Sequence, residues 1–130
     1  MPGFTVDTGG LIAIERGNLR ISRLLEEAVK ADYRVTIPAT VWAQAIRQPE
    51  RQAELTRIAK LPETDFIPLN RDNANSVGRL LAASGTADVV DGHVAVCARQ
   101  RGQPVITSDP DDIRLLDPTI EIVPVSETGR

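Results

Sequence analysis

The hydrophobic and polar positions of this chain follow two periodicities in turn. Five short apolar runs, rich in β-branched residues, predict strands at 3–7, 34–37, 65–69, 104–108 and 120–125. Between them, apolar residues recur three or four positions apart, which predicts helices at 8–15, 19–32, 38–46, 50–60, 71–84, 87–101 and 109–116. Strands that alternate with helices form βαβ units, so the pattern predicts a parallel sheet covered by helices on both faces.

Length and composition favour one globular domain. The chain has 130 residues, of which 42% are hydrophobic and 25% charged. We assign residues 1–126 to a single domain and 127–130 to a short tail. No apolar run approaches membrane-spanning length and no signal peptide is recognisable, so we expect no membrane association. The single cysteine, Cys97, excludes an internal disulfide and favours a cytoplasmic location.

The charge balance permits only a local surface for nucleic acid. The net charge of −3 argues against a uniformly basic protein, although 13 of the 15 basic residues are arginines, which suit phosphate contacts. Arginines that follow or flank the segments discussed below are candidates for such contacts: Arg16, Arg47 and Arg51. For any one of them, a solvated surface position is the alternative. Aromatic residues make up only 3%, so base stacking cannot dominate recognition.

Carboxylates lie at two predicted strand ends. Asp7 ends the first strand, and Asp109 follows the strand at 104–108. Parallel α/β sheets place their sites at the carboxyl ends of the strands, so both residues are candidates for a site. Asp109 is followed by Asp111 and Asp112. Capping and the helix dipole would explain one or two of these acids, since Ser108 or Asp109 could cap the helix that begins near Pro110.

A third carboxylate lies on a predicted helix. Asp91 shares its helical face with small apolar residues such as Val94 and Ala95, so this face is expected to pack inward. A buried carboxylate is costly unless it is paired or bound to a metal, and pairing with an arginine or a helix N-terminus is the simple alternative. Asp88 is interpreted as an acid favoured by the dipole of the same helix, with a smaller chance of a role in a metal site.

Taken together, acids at two strand ends and on one inward helix face predict an acidic pocket. Like charges in such a pocket repel one another and raise each other's pKa. A hard divalent cation relieves the repulsion, and ligands that are all oxygen favour Mg²⁺ or Mn²⁺.

Three segments carry a resemblance to a known family. VDTGGLIAIERGN (6–18), DVVDGHVAVCARQRG (88–102) and VITSDPDDIRLL (105–116) resemble the PIN domain and, more narrowly, the VapC toxins of bacterial toxin–antitoxin pairs. The resemblance covers nearly the whole chain in the same order. It implies a three-layer α/β/α sandwich around a central parallel sheet of four or five strands, and a metal-dependent endoribonuclease.

The resemblance also implies site residues and partners. Asp7, Asp91 and Asp109 would bind Mg²⁺, with Mn²⁺ as a possible substitute, and Asp112 would be a further ligand to the metal or to its water. The partners would be an RNA substrate, a second copy of the chain in a homodimer, and a cognate VapB antitoxin. The antitoxin's C-terminal segment would fill the acidic groove with a basic residue.

One position departs from the family pattern. The family usually carries a glutamate on the helix after the second strand, whereas the matching position in PATVWAQAIRQ (38–48) is Gln44. Glutamine keeps a ligand oxygen but loses the charge, so Gln44 is assigned to the site with a weaker hold on metal. Glu15 and Asp88 are the candidate replacements. The alternative function is therefore a PIN-like module that binds metal or RNA without cutting.

His93, Cys97 and Trp42 are the remaining candidates for chemistry or partner contacts. His93 lies roughly opposite Asp91 on the helical wheel, so it is expected to be exposed and to be neither a ligand nor a base. Cys97 is expected in the core. Trp42 is expected either in the core or at a subunit interface. A receiver-like signalling domain is disfavoured, because both lysines, Lys30 and Lys60, fall within predicted helices.

Overall fold

A parallel sheet of five short strands forms the middle layer of the molecule. The structure is a computed structural model and describes residues 1–126; the predicted tail, 127–130, lies outside the described residues. The strands are β1 Gly3–Val6, β2 Arg34–Pro38, β3 Thr64–Ile67, β4 Val105–Thr107 and β5 Ile122–Pro124. The helices are α1 Thr8–Glu15, α2 Leu19–Lys30, α3 Ala39–Ala45, α4 Ala53–Ala59, α5 Arg71–Ser84, α6 Val89–Arg101 and α7 Pro110–Leu116, with a 3₁₀ helix at Pro49–Arg51.

The strand order places β1 in the centre of the sheet. The order is β3-β2-β1-β4-β5, and every neighbouring pair is parallel. The chain builds outward from β1 through β2 to β3, then returns to the other side of β1 for β4 and β5. This reversal makes the carboxyl ends of β1 and β4 the switch point at which such sheets place their sites.

Helices cover the sheet in two groups. The helices α1, α2 and α4 pack together, as do α5, α6 and α7, while α3 contacts both α1 and α6 near the carboxyl ends of the strands. The predicted α/β/α sandwich with a parallel sheet is therefore confirmed, with five strands. Fully buried side chains of the central strands form its core, including Val6, Val35, Ile37 and Ile106.

The start of α1 is held tightly against the sheet. Gly10 lies so close that a Cβ atom there would be 2.8 Å from Cγ1 of Val6 and 3.0 Å from the carbonyl oxygen of Ile106. At Gly9 a Cβ atom would lie 2.0 Å from Oγ of Ser108. Two consecutive glycines are therefore required at this point because the helix begins directly over β1 and β4.

Helix α6 is buried all round, and this corrects one expectation. Every residue from Gly92 to Ala98 is buried, because α6 lies between α5 on one side and the sheet and α3 on the other. The prediction that His93 is exposed is therefore wrong: its side chain is 0% exposed. The prediction that Cys97 belongs to the core is confirmed, and burial raises the pKa of its thiol to about 12.

Other differences between prediction and structure are small. Helix α6 begins at Val89 rather than 87, because the side chain of Asp88 caps it by accepting a hydrogen bond from the Asp91 backbone N–H at 2.9 Å. The predicted helix at 50–60 is divided at Gln52 into the 3₁₀ helix and α4. The side-chain amide of Gln52 is buried, accepts hydrogen bonds from the backbone N–H groups of Arg47 and Gln48, and donates one to the Ala45 carbonyl. Trp42 is partly buried and packs edge-to-face on Phe66 at 5.3 Å.

At the amino ends of the strands, one aspartate is paired with two arginines. Asp65 of β3 accepts two hydrogen bonds from the Arg34 guanidinium, at 2.6 and 2.9 Å, and one from Arg101 at 2.9 Å. The bonds to Arg34, aided by Arg101, lower the pKa of Asp65 to about 2. Arg101 also donates to Thr36, so this cluster, which we call the paired cluster, joins β2, β3 and the end of α6.

Within residues 1–126, no single helix is long and apolar enough to cross a membrane. Helices α5 and α6 taken together meet the length and composition requirement, but the chain bends by 107° between them.

Candidate active site

Asp7 is fixed at the centre of the switch point. It follows β1 and occupies the N-cap position of α1, where Oδ1 accepts a hydrogen bond from the Thr8 backbone N–H at 2.7 Å. Oδ2 accepts a hydrogen bond from the hydroxyl of Thr107, the last residue of β4, at 2.8 Å. The side chain is buried, and this burial raises its pKa; the two hydrogen bonds oppose the shift, and the charges of Asp109 and Asp88 add to it.

Asp109 lies beside Asp7 because β1 and β4 are neighbours. Thr107 joins the two acids: its hydroxyl donates to Asp7 and accepts a hydrogen bond from the Asp109 backbone N–H at 2.9 Å. Asp109 holds the N-cap position of α7, but its side chain makes no capping bond. The capping alternative therefore does not account for this carboxylate, which remains available for another ligand.

Asp91 has the most strongly affected carboxyl group of the acidic pocket. It lies in the first turn of α6, half-buried, and its pKa is raised to about 7. The main cause is burial, followed by the negative charges of Asp88, Asp7, Asp112 and Asp109 in decreasing order. Residues from β1, α6 and α7 thus act on one another electrostatically, and among residues 1–126 no arginine or lysine is paired with Asp91.

Asp112 and Asp111, the two acids in the first turn of α7, have different surroundings. Asp112 is exposed in the first turn of α7, and its charge contributes to the raised pKa of Asp91. Asp111 points away: its side chain is 96% exposed and forms an ion pair with Arg114 at 3.2 Å. The structure therefore brings together Asp7, Asp91, Asp109 and Asp112, which we call the acidic cluster, with Asp88 at its edge.

Gln44 reaches this cluster through a hydroxyl group. Its Oε1 accepts a hydrogen bond from Thr8 Oγ1 at 2.5 Å, and the Thr8 backbone is bonded to Asp7. Glu15 is the last residue of α1, about 10 Å along the helix axis from Thr8. Asp88, whose charge raises the pKa of both Asp7 and Asp91, is therefore better placed than Glu15 to replace the missing carboxylate.

Sequence reasoning missed the contact that holds α3. The hydroxyl of Thr40 lies 2.8 Å from Nδ1 of the buried His93, two residues after Asp91 on α6. Burial lowers the pKa of His93; the Pro68 carbonyl opposes this shift, although buried Nε2 makes no well-formed hydrogen bond within the described residues. Thr40 and Gln44 are four residues apart on α3, so this contact fixes the helix that carries Gln44.

The acidic cluster fits a divalent cation in chemistry and charge, but its ligands are not preassembled. The donors are carboxylate and amide oxygens, which Mg²⁺ and Mn²⁺ prefer. Their mutual repulsion, which adds to the effect of burial on the pKa of Asp91, is relieved by a cation. Within residues 1–126, however, no three Asp, Glu, His or Cys side chains are arranged to hold a metal ion as they lie. Binding would require these side chains to rearrange.

The three candidate arginines have different surroundings. Arg47 donates to the carbonyl oxygens of Ala43 and Ile46 at 2.8 and 2.9 Å, so it stabilises the end of α3. Arg51 is exposed at the end of the 3₁₀ helix. Arg16 is exposed just after α1, and its side chain forms no hydrogen bond or ion pair within residues 1–126. Like Arg16, Arg51 forms no side-chain hydrogen bond or ion pair within residues 1–126, so these two are more available for a phosphate than Arg47.

Fold and site together define an α/β domain with an acidic cluster at the switch point of its parallel sheet, and a family comparison identifies the domain. The model of the PIN domain matches residues 4–118. This chain belongs to the PIN domain family. A comparison with curated protein sequences finds no match.

Solved structures with the same fold include toxin–antitoxin complexes. A toxin–antitoxin complex from Klebsiella pneumoniae matches with a TM-score of 0.70 and 20% identity, over 93% of this chain and 96% of that one. DNA-bound VapBC from Salmonella typhimurium matches with a TM-score of 0.69 and 20% identity, over 95% and 98%. VapBC-5 from Mycobacterium tuberculosis, a member of the VapBC toxin–antitoxin family, matches with a TM-score of 0.56 and 26% identity, over 96% and 100%.

Proposed function

We propose that this protein is a VapC-type toxin: an endoribonuclease that uses Mg²⁺ or Mn²⁺ to hydrolyse phosphodiester bonds in RNA. One observation carries the proposal. Within residues 1–126, carboxylates that follow β1 and lie in the first turns of α6 and α7 meet at the switch point of a PIN fold with no basic partner, and their charges add to the burial that raises the pKa of Asp91 to about 7. Acids that only stabilise a fold are normally paired, as Asp65 is in the same molecule.

Each residue of the cluster has a distinct part in the proposed reaction. Asp7, Asp91 and Asp109 would hold the principal ion, and Asp112, which is exposed at the rim, would help to orient water. When bound, Mg²⁺ supplies an acidified water and polarises the phosphate oxygens. Thr107 and the Thr8 backbone keep Asp7 in one orientation, so the chain itself fixes the central ligand. The products would carry a 5′-phosphate and a 3′-hydroxyl.

Gln44 gives this site a weaker hold on metal than a glutamate would. Its oxygen already accepts a bond from Thr8, and it adds no negative charge. We expect Gln44→Glu to lower the Kd for Mn²⁺ by about tenfold, because one more charge faces the ion. Gln44→Ala serves as the control without a donor oxygen.

The test uses purified protein, freed of any bound antitoxin, and total bacterial RNA. Discrete cleavage in Mg²⁺ or Mn²⁺, abolished by EDTA and absent in the Asp7→Asn, Asp91→Asn double variant, is the expected result. Product ends are mapped at the same time, and a 2′,3′-cyclic phosphate would exclude this mechanism.

The alternative is a module that binds metal or RNA without cutting, and Gln44 is the observation that favours it. Folded protein that binds Mn²⁺ and RNA but cleaves nothing in either metal would establish that alternative. Restoration of cleavage by Gln44→Glu would then show that the missing carboxylate is the cause.

The proposed setting follows from the same family. The partners are a VapB-type antitoxin, whose C-terminal segment would place a basic residue against the acidic cluster, and a second copy of this chain in a homodimer. Similar solved structures include complexes named as toxin with antitoxin, which supports the first of these partners. We propose that the protein acts in the cytoplasm, where its RNA substrates are.

A further inference from the structure

A groove of about 730 Å³ lies along α1, between the Gly9–Ser108 contact and the turn between α1 and α2. Its inner end is formed by Gly9 and Ser108, which lie two residues after Asp7 and directly before Asp109. Gly9 and Ser108 are packed too closely for any side chain at position 9. The inner end of the groove is therefore next to the backbone segments that carry Asp7 and Asp109.

The outer end of the groove combines a cation with an apolar surface. Gly17, with φ of +78°, turns the chain between α1 and α2. This turn presents Arg16 on one side and Leu19, which is 49% exposed, on the other. Arg16 follows the eight residues of α1, so it lies roughly 10 Å along the helix axis from the inner end.

The walls between the two ends are largely apolar and firmly held. Ile12 and Val125 both line the groove. Val125 is kept in place by its neighbours, because Arg20 donates to the Pro124 carbonyl at 2.8 Å and Asn18 donates to the Ser126 carbonyl at 3.2 Å. The groove is thus a built feature whose wall is fixed by side chains of the first turn of α2 and its cap.

We propose that this groove binds the nucleotide next to the scissile phosphate of a single-stranded RNA segment. The base would lie against Ile12 and Leu19, and the following phosphate would bind Arg16. The inference rests on the proposed nuclease function and extends it by assigning the direction in which the RNA leaves the metal site. Aliphatic side chains take the place of stacking rings, which fits a chain with only 3% aromatic residues.

Charge favours RNA over a peptide as the occupant. The acidic cluster repels a polyanion, and the whole chain carries a net charge of −3, so RNA needs an unpaired cation beside the site. Arg16 supplies that charge. A basic antitoxin segment would be attracted to the acidic cluster but repelled by Arg16, so the outer end of the groove suits it poorly.

The test measures RNA binding without cleavage. A fluorescently labelled 12-nucleotide single-stranded RNA of mixed sequence is titrated with full-length protein in EDTA between 50 and 200 mM KCl. Arg16→Ala should raise the Kd about tenfold and reduce the slope of log K against log salt by about 0.7, the value for one phosphate contact on a single strand. Leu19→Ser should weaken binding without changing the slope. Arg23→Ala, which removes an exposed arginine of α2 outside the groove, is the matched control and should change little.

Two outcomes would overturn the proposal. If Arg16→Ala and Arg23→Ala change the Kd and the salt slope to the same extent, the RNA does not use this groove. If Leu19→Ser weakens the binding of a basic peptide but not the binding of RNA, the groove is a binding site for protein instead. The nuclease proposal fails separately, by absence of metal-dependent cleavage in the unaltered protein, and that result leaves the binding data intact.

Discussion

The same side chain, aspartate, occurs in two opposite environments at the two ends of one sheet. At the amino ends of the strands, Asp65 is held by two arginines and its pKa falls to about 2. At the carboxyl ends, Asp91 is surrounded by other carboxylates and its pKa rises to about 7. Burial raises the pKa of both carboxyl groups; neighbouring carboxylates add to this rise at Asp91, whereas hydrogen bonds from two arginines outweigh it at Asp65.

The contrast separates acids that stabilise the fold from acids that await a ligand. The paired cluster satisfies its charge within the chain and joins three elements of the fold. The acidic cluster accumulates charge that the described chain leaves unneutralised, which costs stability. A protein retains such an arrangement when the charge serves a purpose outside the fold.

The largest expected effect is on cleavage. Asp7→Asn should reduce the rate of RNA cleavage by on the order of 10³-fold, equivalent to about 4 kcal/mol, because the central ligand loses its charge. The free energy of unfolding should change by less than about 1 kcal/mol, since an asparagine oxygen can still accept a bond and a buried charge is removed. Cleavage assays and urea unfolding on the same preparation measure both.

The matched substitution in the paired cluster should show the opposite. Asp65→Asn should lower the free energy of unfolding by about 2 kcal/mol, because it removes charge-assisted bonds to Arg34 and Arg101. The melting temperature should fall by roughly 5–10 °C. Cleavage per folded molecule should remain near that of the unaltered protein, and a cleavage loss as large as that of Asp7→Asn would contradict the division between the two clusters.

The two clusters should respond to pH in opposite directions. The raised pKa of Asp91 means that the folded state binds more protons than the unfolded state between about pH 4 and 7, so stability in EDTA falls as pH rises through this range. The lowered pKa of Asp65 stabilises the fold above about pH 4 and is lost as pH falls toward 2.

Urea unfolding from pH 2 to 8 measures both slopes. Asp91→Asn should flatten the slope between pH 4 and 7 and leave the acidic limb unchanged, whereas Asp65→Asn should do the reverse. Added Mn²⁺ should recover stability above pH 7, since the ion binds the deprotonated carboxylates. A slope in EDTA that is identical in Asp91→Asn and the unaltered protein would show that this carboxyl group titrates normally.

The smallest effect should come from loss of the contact between Thr40 and His93, which holds α3 in place. Thr40→Val removes the hydroxyl bonded to His93 and should cost about 1 kcal/mol of stability and a few-fold in cleavage rate. Thr40→Ser keeps the hydroxyl and should restore most of both. In a Gln44→Ala background the effect of Thr40→Val on cleavage should vanish while its effect on stability persists, because α3 no longer carries a side chain into the site.

Much of the fold was readable from the sequence because it depends on local pattern. The two periodicities gave the strands and helices, with α1 and α5 predicted to the residue and most other ends within one or two positions. The rule that sites lie at carboxyl ends selected Asp7 and Asp109, and the helical wheel added Asp91. The structure brings these three together, and their role as metal ligands remains a prediction.

The sequence misled where burial depends on the whole assembly. His93 was placed outside because a helical wheel assumes one buried face, whereas α6 is covered on all sides. Apart from His93, residues 92–98 contain only small or apolar side chains, and this signal of an all-round buried helix was available. The threonine hydroxyls at positions 8, 40 and 107 were missed because their partners are distant in sequence or fixed only by the assembled site.

The central position of β1 has a consequence for synthesis of the protein. Asp7 is synthesised 100 residues before its hydrogen-bond partner Thr107. Since domains fold as the chain is made, the acidic cluster can assemble only after almost the entire domain has been translated. A chain that stops before β4 lacks Thr107, Asp109 and Asp112, so the acidic cluster cannot form in it.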